Sequence, residues 1–117
     1  MTKKKVLITG GAGFLGVHLA RQFLKETYDV TLFDIAPLDA KDLIGKVKYI
    51  KGDVRNKKDV DNAIKNQDYV IHAAAALPIL RDKKIIFDIN INGTRNVLDS
   101  ALQDRVKRVV FISASLV

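Results

Sequence analysis

An α/β fold built on a doubly wound parallel sheet is predicted by three features of this 117-residue sequence. Short apolar runs rich in β-branched residues alternate with amphipathic stretches, the rhythm of consecutive β-α-β units. A glycine cluster, Gly10-Gly11-Ala12-Gly13-Phe14-Leu15-Gly16, stands where the first apolar run gives way to the first amphipathic stretch. No internal repeat, low-complexity tract or Pro/Ser-rich linker interrupts the alternation, so residues 1–117 are read as one domain.

Lys5 to Thr9 is predicted as the first, buried strand. The pattern turns helical from Gly13 to about Lys25, where Leu15, Leu19 and Phe23 fall four residues apart on one face. Asp29 to Phe33 is the second strand. Val47 to Lys51 is the third, and its alternating lysines suit a sheet edge, where charge discourages pairing with other chains. Asn56 can cap a short helix that turns Val60, Ala63 and Ile64 inward. Tyr69 to Ala73 is a largely apolar fourth strand, as a central one should be. One long helix is expected from about Lys84 to Gln103, burying Ile89, Val97, Leu98, Ala101 and Leu102. Val109 to Ser113 is the fifth strand. Right-handed crossovers then give the strand order 3-2-1-4-5. That order leaves the apolar Val109-Val110-Phe111-Ile112 at an open edge, a poor sequence for one, so a sixth strand is expected beyond this chain.

Bulk composition excludes several functions. With no cysteine there is no disulfide, thiolate metal site or cysteine nucleophile. Two histidines, His18 and His72, without a His/Glu cluster give no support to a metal site. The apolar run after Lys3-Lys4-Lys5 is too short for a signal peptide and no stretch approaches a membrane span, so a cytoplasmic protein with no membrane partner is expected. The net charge of +7 invites a nucleic-acid reading. Beyond the first lysines, however, the basic residues are scattered and no nucleic-acid-binding motif accompanies them, so no nucleic-acid partner is expected.

The glycine cluster carries the strongest functional signal. It contains GxGxxG from Gly11, and it both follows a predicted strand and opens a predicted helix, the context in which such a loop holds phosphate. Gly10 can turn sharply off the strand, Gly13 lets backbone approach a pyrophosphate, and Gly16 allows close helix packing. The N–H groups and positive dipole end at the helix start favour the phosphate charge. No Gly-Lys-Ser/Thr follows, which excludes a Walker-type loop. Asp34 ends the second strand 18 positions beyond Gly16, where the fingerprint of a Rossmann-type domain expects an acid. A carboxylate there can accept from both ribose hydroxyls and repels a 2′-phosphate. Neither Ile35 nor Ala36 supplies a guanidinium, so NAD is the expected cofactor rather than NADP.

These residues resemble the extended short-chain dehydrogenases/reductases, in particular the nucleotide-sugar epimerases and dehydratases. Thr9 to Gly16 is similar to that family's TGGxGFxG opening, and Gly52-Asp53-Val54 to its GD-hydrophobic element, in which the aspartate accepts from the adenine amino group. Taken alone, Asp53 is equally an ordinary turn residue. Val70-Ile71-His72-Ala73-Ala74-Ala75 resembles the strand-four motif whose small residues line the dinucleotide, with His72 read as a satisfied core histidine. Asn90-Ile91-Asn92-Gly93-Thr94 resembles the NVxGT element, which makes Asn90 a cofactor- and architecture-supporting asparagine and Gly93 a place for close packing. The resemblance thus implies a cofactor site of Gly10, Gly13, Phe14, Leu15, Gly16, Asp34, Ile35, Asp53, Val54, Ala73, Ala74, Ala75 and Asn90.

Two departures accompany these matches. The family's Tyr-x-x-x-Lys pair, its general acid/base and the lysine that lowers its pKa, is absent: Leu32, Asp53 and Ala73 stand four residues after Tyr28, Tyr49 and Tyr69. Where the family places an assisting hydroxyl after strand five, the ungapped match puts Ala114, leaving Ser113 and Ser115 as the two catalytic candidates. The expectation is therefore an incomplete NAD-binding domain over 1–117, lacking the substrate-binding part. In the intact protein the resemblance implies transient hydride transfer at a carbon of a small-molecule substrate, a nucleotide sugar; the oligomeric state stays open, a homodimer being one arrangement such enzymes adopt. A reductase or hydroxysteroid-dehydrogenase branch of the same superfamily, or a non-enzymatic dinucleotide sensor, shares every motif seen here.

Overall fold

The apolar runs of the sequence become β1 (Lys5–Thr9), β2 (Asp29–Asp34), β3 (Lys48–Lys51), β4 (Tyr69–His72) and β5 (Arg108–Phe111). They lie parallel in the order β3-β2-β1-β4-β5, the predicted one. These elements come from a computed structural model that describes residues 3–74 and 82–112.

Strand residues alternate between two hydrophobic cores because successive side chains leave opposite faces of a sheet. Val6, Ile8, Val30, Leu32 and Ile71 pack with Ala20 of α1 (Phe14–Lys25). On the other face Leu7, Phe33 and Val70 meet Val60, Ala63 and Ile64 of α2 (Lys57–Ile64) and Val97. Asn56 caps α2 as expected, its side chain accepting from the N–H groups of Lys58 and Asp59 at 3.0 and 3.3 Å.

The sequence pattern placed three apolar side chains wrongly. In α1 the buried positions are Gly16 and Ala20; Leu19 and Phe23 pack partly against the core, while Leu15 is 43% exposed. The long second-half helix is a composite of α3 (Lys83–Phe87), a π turn (Asp88–Gly93) and α4 (Thr94–Gln103). Each residue of a π turn advances less around the axis than in an α-helix, so the turn rotates the face that follows it. Ile89 and Val97 consequently both meet the core, with Ser100 and Ala101 buried beside Val97. Leu98 and Leu102, expected inside, are 40% and 77% exposed. Ser100 takes the inward place by donating its hydroxyl to Asp61 of α2.

The strand ends differ from the predicted ones by a residue or two. β2 runs on to Asp34, β4 stops at His72, and β5, expected from Val109, begins at Arg108 and ends at Phe111, before Ile112. The two edges have the predicted contrast: Lys48 and Lys51 project from β3, whereas Val110 and Phe111 of β5 are each about two-fifths exposed.

Candidate functional site

Parallel strands deliver all their C-terminal ends to one side of a sheet, and the loops leaving β1, β2, β3 and β4 there enclose a cleft of about 460 Å³. Its floor is the glycine turn. Gly10 has φ +68°, and a Cβ on it would lie 2.9 Å from Ala74 N and 3.0 Å from the Ala73 carbonyl, so only glycine fits. A Cβ on Gly16 would come 2.4 Å from Gly10 O, which lets α1 start against the turn itself. The first helical N–H to close a bond is Val17's, onto Gly13 O at 2.9 Å. The N–H groups of Phe14, Leu15 and Gly16 therefore leave the helix end toward the cleft. No acidic residue sits in that first turn to compete for an anion.

Asp34 and Ile35 form the second wall. The Asp34 carboxylate accepts from Ala12 N at 2.9 Å and from Ala36 N at 3.0 Å, so it braces the glycine turn as well as facing the cleft. The loop after β3 contributes Gly52, Asp53, Val54 and Arg55. Arg55 grips Asp53 through Nη2 at 2.7 Å and Nε at 3.1 Å, and its Nη1 lies 4.0 Å from Asp88 Oδ2. The hydrogen bonds from Arg55 hold the Asp53 carboxyl below the ordinary carboxylate range despite partial burial. Ala73 and Ala74 close the cleft beneath β4, and Ile89 of the π turn closes the far side.

Of the residues expected at the cofactor, Gly10, Gly13, Phe14, Leu15, Gly16, Asp34, Ile35, Asp53, Val54, Ala73 and Ala74 line this one cleft. Ala75, Ser113 and Ser115 lie outside the described residues. Asn90 is next to the lining residue Ile89, and its carbonyl accepts from Thr94 Oγ1 at 2.6 Å. Gly93 does provide close packing: a Cβ there would lie 2.7 Å from Val54 Cγ2. Sequence reasoning missed Phe33, Gly52, Arg55 and Ile89 as lining residues. For Arg55 the available signal was an opposite charge two residues after Asp53; Ile89 was read only as core.

His72 is buried, 4% exposed, as expected for a core histidine. Its Nδ1 is 2.7 Å from Thr9 Oγ1 and its Nε2 is 3.2 Å from Thr94 Oγ1. Burial pushes its pKa down to about 4, so the ring is uncharged at neutral pH. Among the described residues no group of three His, Asp or Glu side chains could hold a metal, and no helix is long and apolar enough to cross a membrane.

Comparison with known proteins places this architecture. Residues 7–117 match the model of the 3-beta hydroxysteroid dehydrogenase/isomerase family. The chain belongs to that family. It is 36% identical to a decarboxylating sterol-4-alpha-carboxylate 3-dehydrogenase of Candida albicans, over 96% of this chain and 35% of that enzyme. It is also 36% identical to a UDP-N-acetyl-alpha-D-glucosaminuronate decarboxylase of Bacillus cytotoxicus, over 97% of this chain and 37% of the other. Among solved structures, the UDP-glucose 4-epimerase of Thermus thermophilus in complex with NAD superposes with a TM-score of 0.84 at 30% identity, covering 94% of this chain and 37% of that one. The chain thus spans about a third of the length of these relatives. Within the 3-beta hydroxysteroid dehydrogenase/isomerase family and its neighbours, this region is equally similar to a sterol enzyme and to a sugar-nucleotide enzyme. Membership fixes the fold and its short-chain dehydrogenase/reductase kinship without choosing between the two.

Proposed function

We propose that this chain is the NAD-binding portion of a nucleotide-sugar epimerase or dehydratase of the short-chain dehydrogenase/reductase type. The observation that carries the reading is the Gly10–Gly16 turn, a cradle that a Cβ at Gly10 or Gly16 would fill, opening with the α1 N-terminus onto a cleft bounded by Asp34. The fit to NAD is chemical at each wall. The helix-end N–H groups suit the pyrophosphate, and a carboxylate at Asp34 suits the ribose diol. Asp53 and Arg55 offer an acceptor and a planar cation at the adenine end. Bound there, NAD supplies a hydride acceptor that can return what it takes. The chain's own residues bind and orient it and keep the 2′ position free of phosphate. Since Tyr28, Tyr49 and Tyr69 have no lysine four residues on, the chain alone is expected to bind cofactor and turn nothing over.

A second reading is favoured by the family match and the Candida relative: a dehydrogenase acting on a sterol hydroxyl, with the same cofactor site. Both readings share one test. Calorimetric titration of the chain with NAD and NADP in parallel should show NAD binding at least about tenfold more tightly, a difference of about 1.4 kcal/mol. Equal binding, tighter NADP, or no binding by a folded sample would refute the cofactor assignment.

A further inference from the structure

Thr9, His72 and Phe111 stand side by side across β1, β4 and β5, because parallel register pairs Thr9 with His72 and His72 with Phe111. Their side chains therefore share one face of the sheet, the face on which the π turn and α4 lie. The His72 ring packs edge-on against Phe111, with centroids 5.8 Å apart, and its two nitrogens meet two hydroxyls.

The direction of every proton in this array follows from counting donors. Thr9 Oγ1 accepts from Ala74 N at 3.2 Å and takes a share of the Ala73 N–H at 3.1 Å, which also reaches the Thr9 carbonyl at 3.2 Å; both of these neighbours can only donate. Its one proton must then point at His72 Nδ1. Independently, Thr94 Oγ1 lies 2.6 Å from the carbonyl of Asn90, which can only accept, so the Thr94 proton goes there and its oxygen is left to accept from His72 Nε2. The two ends of the ring demand the same tautomer, a bare Nδ1 and a protonated Nε2. The chain of bonds runs Thr9 to His72 to Thr94 to Asn90 with no mismatch.

What these bonds join is the cleft. The Ala73 and Ala74 amides held by Thr9 belong to the segment against which Gly10 turns, within 3.0 Å of the Cβ that glycine lacks. At the other end, Thr94 holds Asn90, whose neighbour Ile89 forms the far wall. We propose that His72 is a positioning residue of the dinucleotide cleft: as the Nε2–H tautomer it locks the glycine turn, the Ala73–Ala74 exit and the π turn into one arrangement. The ligand in this statement rests on the NAD reading above; the geometry does not. A ring charged by protonation would carry a second N–H toward the Thr9 hydroxyl and break the sequence of bonds, so burial of the ring also protects the arrangement at neutral pH.

The test uses the imidazole nitrogens as reporters. Nitrogen-15 NMR of the chain should show a protonated Nε2 and a bare Nδ1, unchanged between about pH 7 and about pH 5.5. Thr94→Val, which keeps shape and removes the hydroxyl, should shift those resonances, speed hydrogen exchange at the Ala73 and Ala74 amides, and weaken NAD binding about tenfold. Thr94→Ser should restore all three, which a purely space-filling role for Thr94 would not require. A proton on Nδ1 overturns the proposal, as does a Thr94→Val chain with wild-type exchange and wild-type NAD affinity. If the wild-type chain binds no NAD, it is the cofactor reading that fails. The tautomer together with exchange at Ala73 and Ala74 then decides the positioning role by itself, faster exchange in Thr94→Val upholding it and unchanged exchange overturning it.

Discussion

The two ends of the cleft are built by opposite means. At the glycine end the surface is backbone: Gly10 and Gly16 act through atoms they lack, and the closest contacts are 2.4 to 3.0 Å from absent Cβ positions. At the Asp53 end the surface is side chain, a carboxylate and a guanidinium locked together at 2.7 Å and reaching toward Asp88. A backbone surface tolerates no addition, because carbonyls and Cα atoms cannot step aside. A charged, part-exposed surface tolerates exchange, because solvent replaces what is lost. Sequence requirements should therefore be strict at one end and loose at the other.

The largest effect should come from Gly16→Ala. Its Cβ would press on Gly10 O and Gly11 Cα, both backbone atoms, so a loss of about 2–3 kcal/mol in urea unfolding is expected, together with loss of NAD binding. A loss below about 0.5 kcal/mol would break the contrast between the two ends.

Acid should come next, acting through His72 of β4, which lies beside β1 on the side away from β3. Its folded pKa, about 4, lies below the ordinary 6.5 of the unfolded chain, so the unfolded state binds more protons between these values. Stability from the uncharged ring is thus fully present above about pH 6.5 and lost as pH falls toward about 4, by at most about 3 kcal/mol. The groups facing the ring, Thr9, Thr94 and Phe111, do not titrate in this window. Melting temperature against pH checks it, and His72→Gln should flatten the slope.

The smallest effect should be Arg55→Met at the charged end. The ion pair is about a third exposed on each side, so stability should change by less than about 0.5 kcal/mol. The Asp53 carboxyl, no longer held down by the guanidinium, should titrate nearer the ordinary carboxylate range by NMR. A destabilisation matching that of Gly16→Ala would mean that both ends are equally rigid.

Legibility in the sequence followed the same division. Gly10, Gly13, Gly16 and Asp34 could be read because a sharp turn, a close helix and a strand-end acid each demand one residue type at one spacing. Arg55 was missed, because a turn has no periodicity and the one local signal, its charge two residues after Asp53, does not say that the pair lines a cleft and reaches toward Asp88. Leu98 and Leu102 misled for a related reason: the apolar pattern assumes uniform α-helical advance, and the π turn at Asp88–Gly93 breaks it.

By itself, then, the sequence determined the strand order, the capped α2, the glycine turn and the lysine-bearing edge at β3. All of these follow from local conformational rules and from side-chain alternation along single elements. Only the tertiary structure decided which face of α4 is buried, that Arg55 also reaches toward Asp88, and how His72 spends its two nitrogens. Each of those depends on residues distant in the chain, such as Thr9 and His72, 63 positions apart, that meet only when the parallel register has formed.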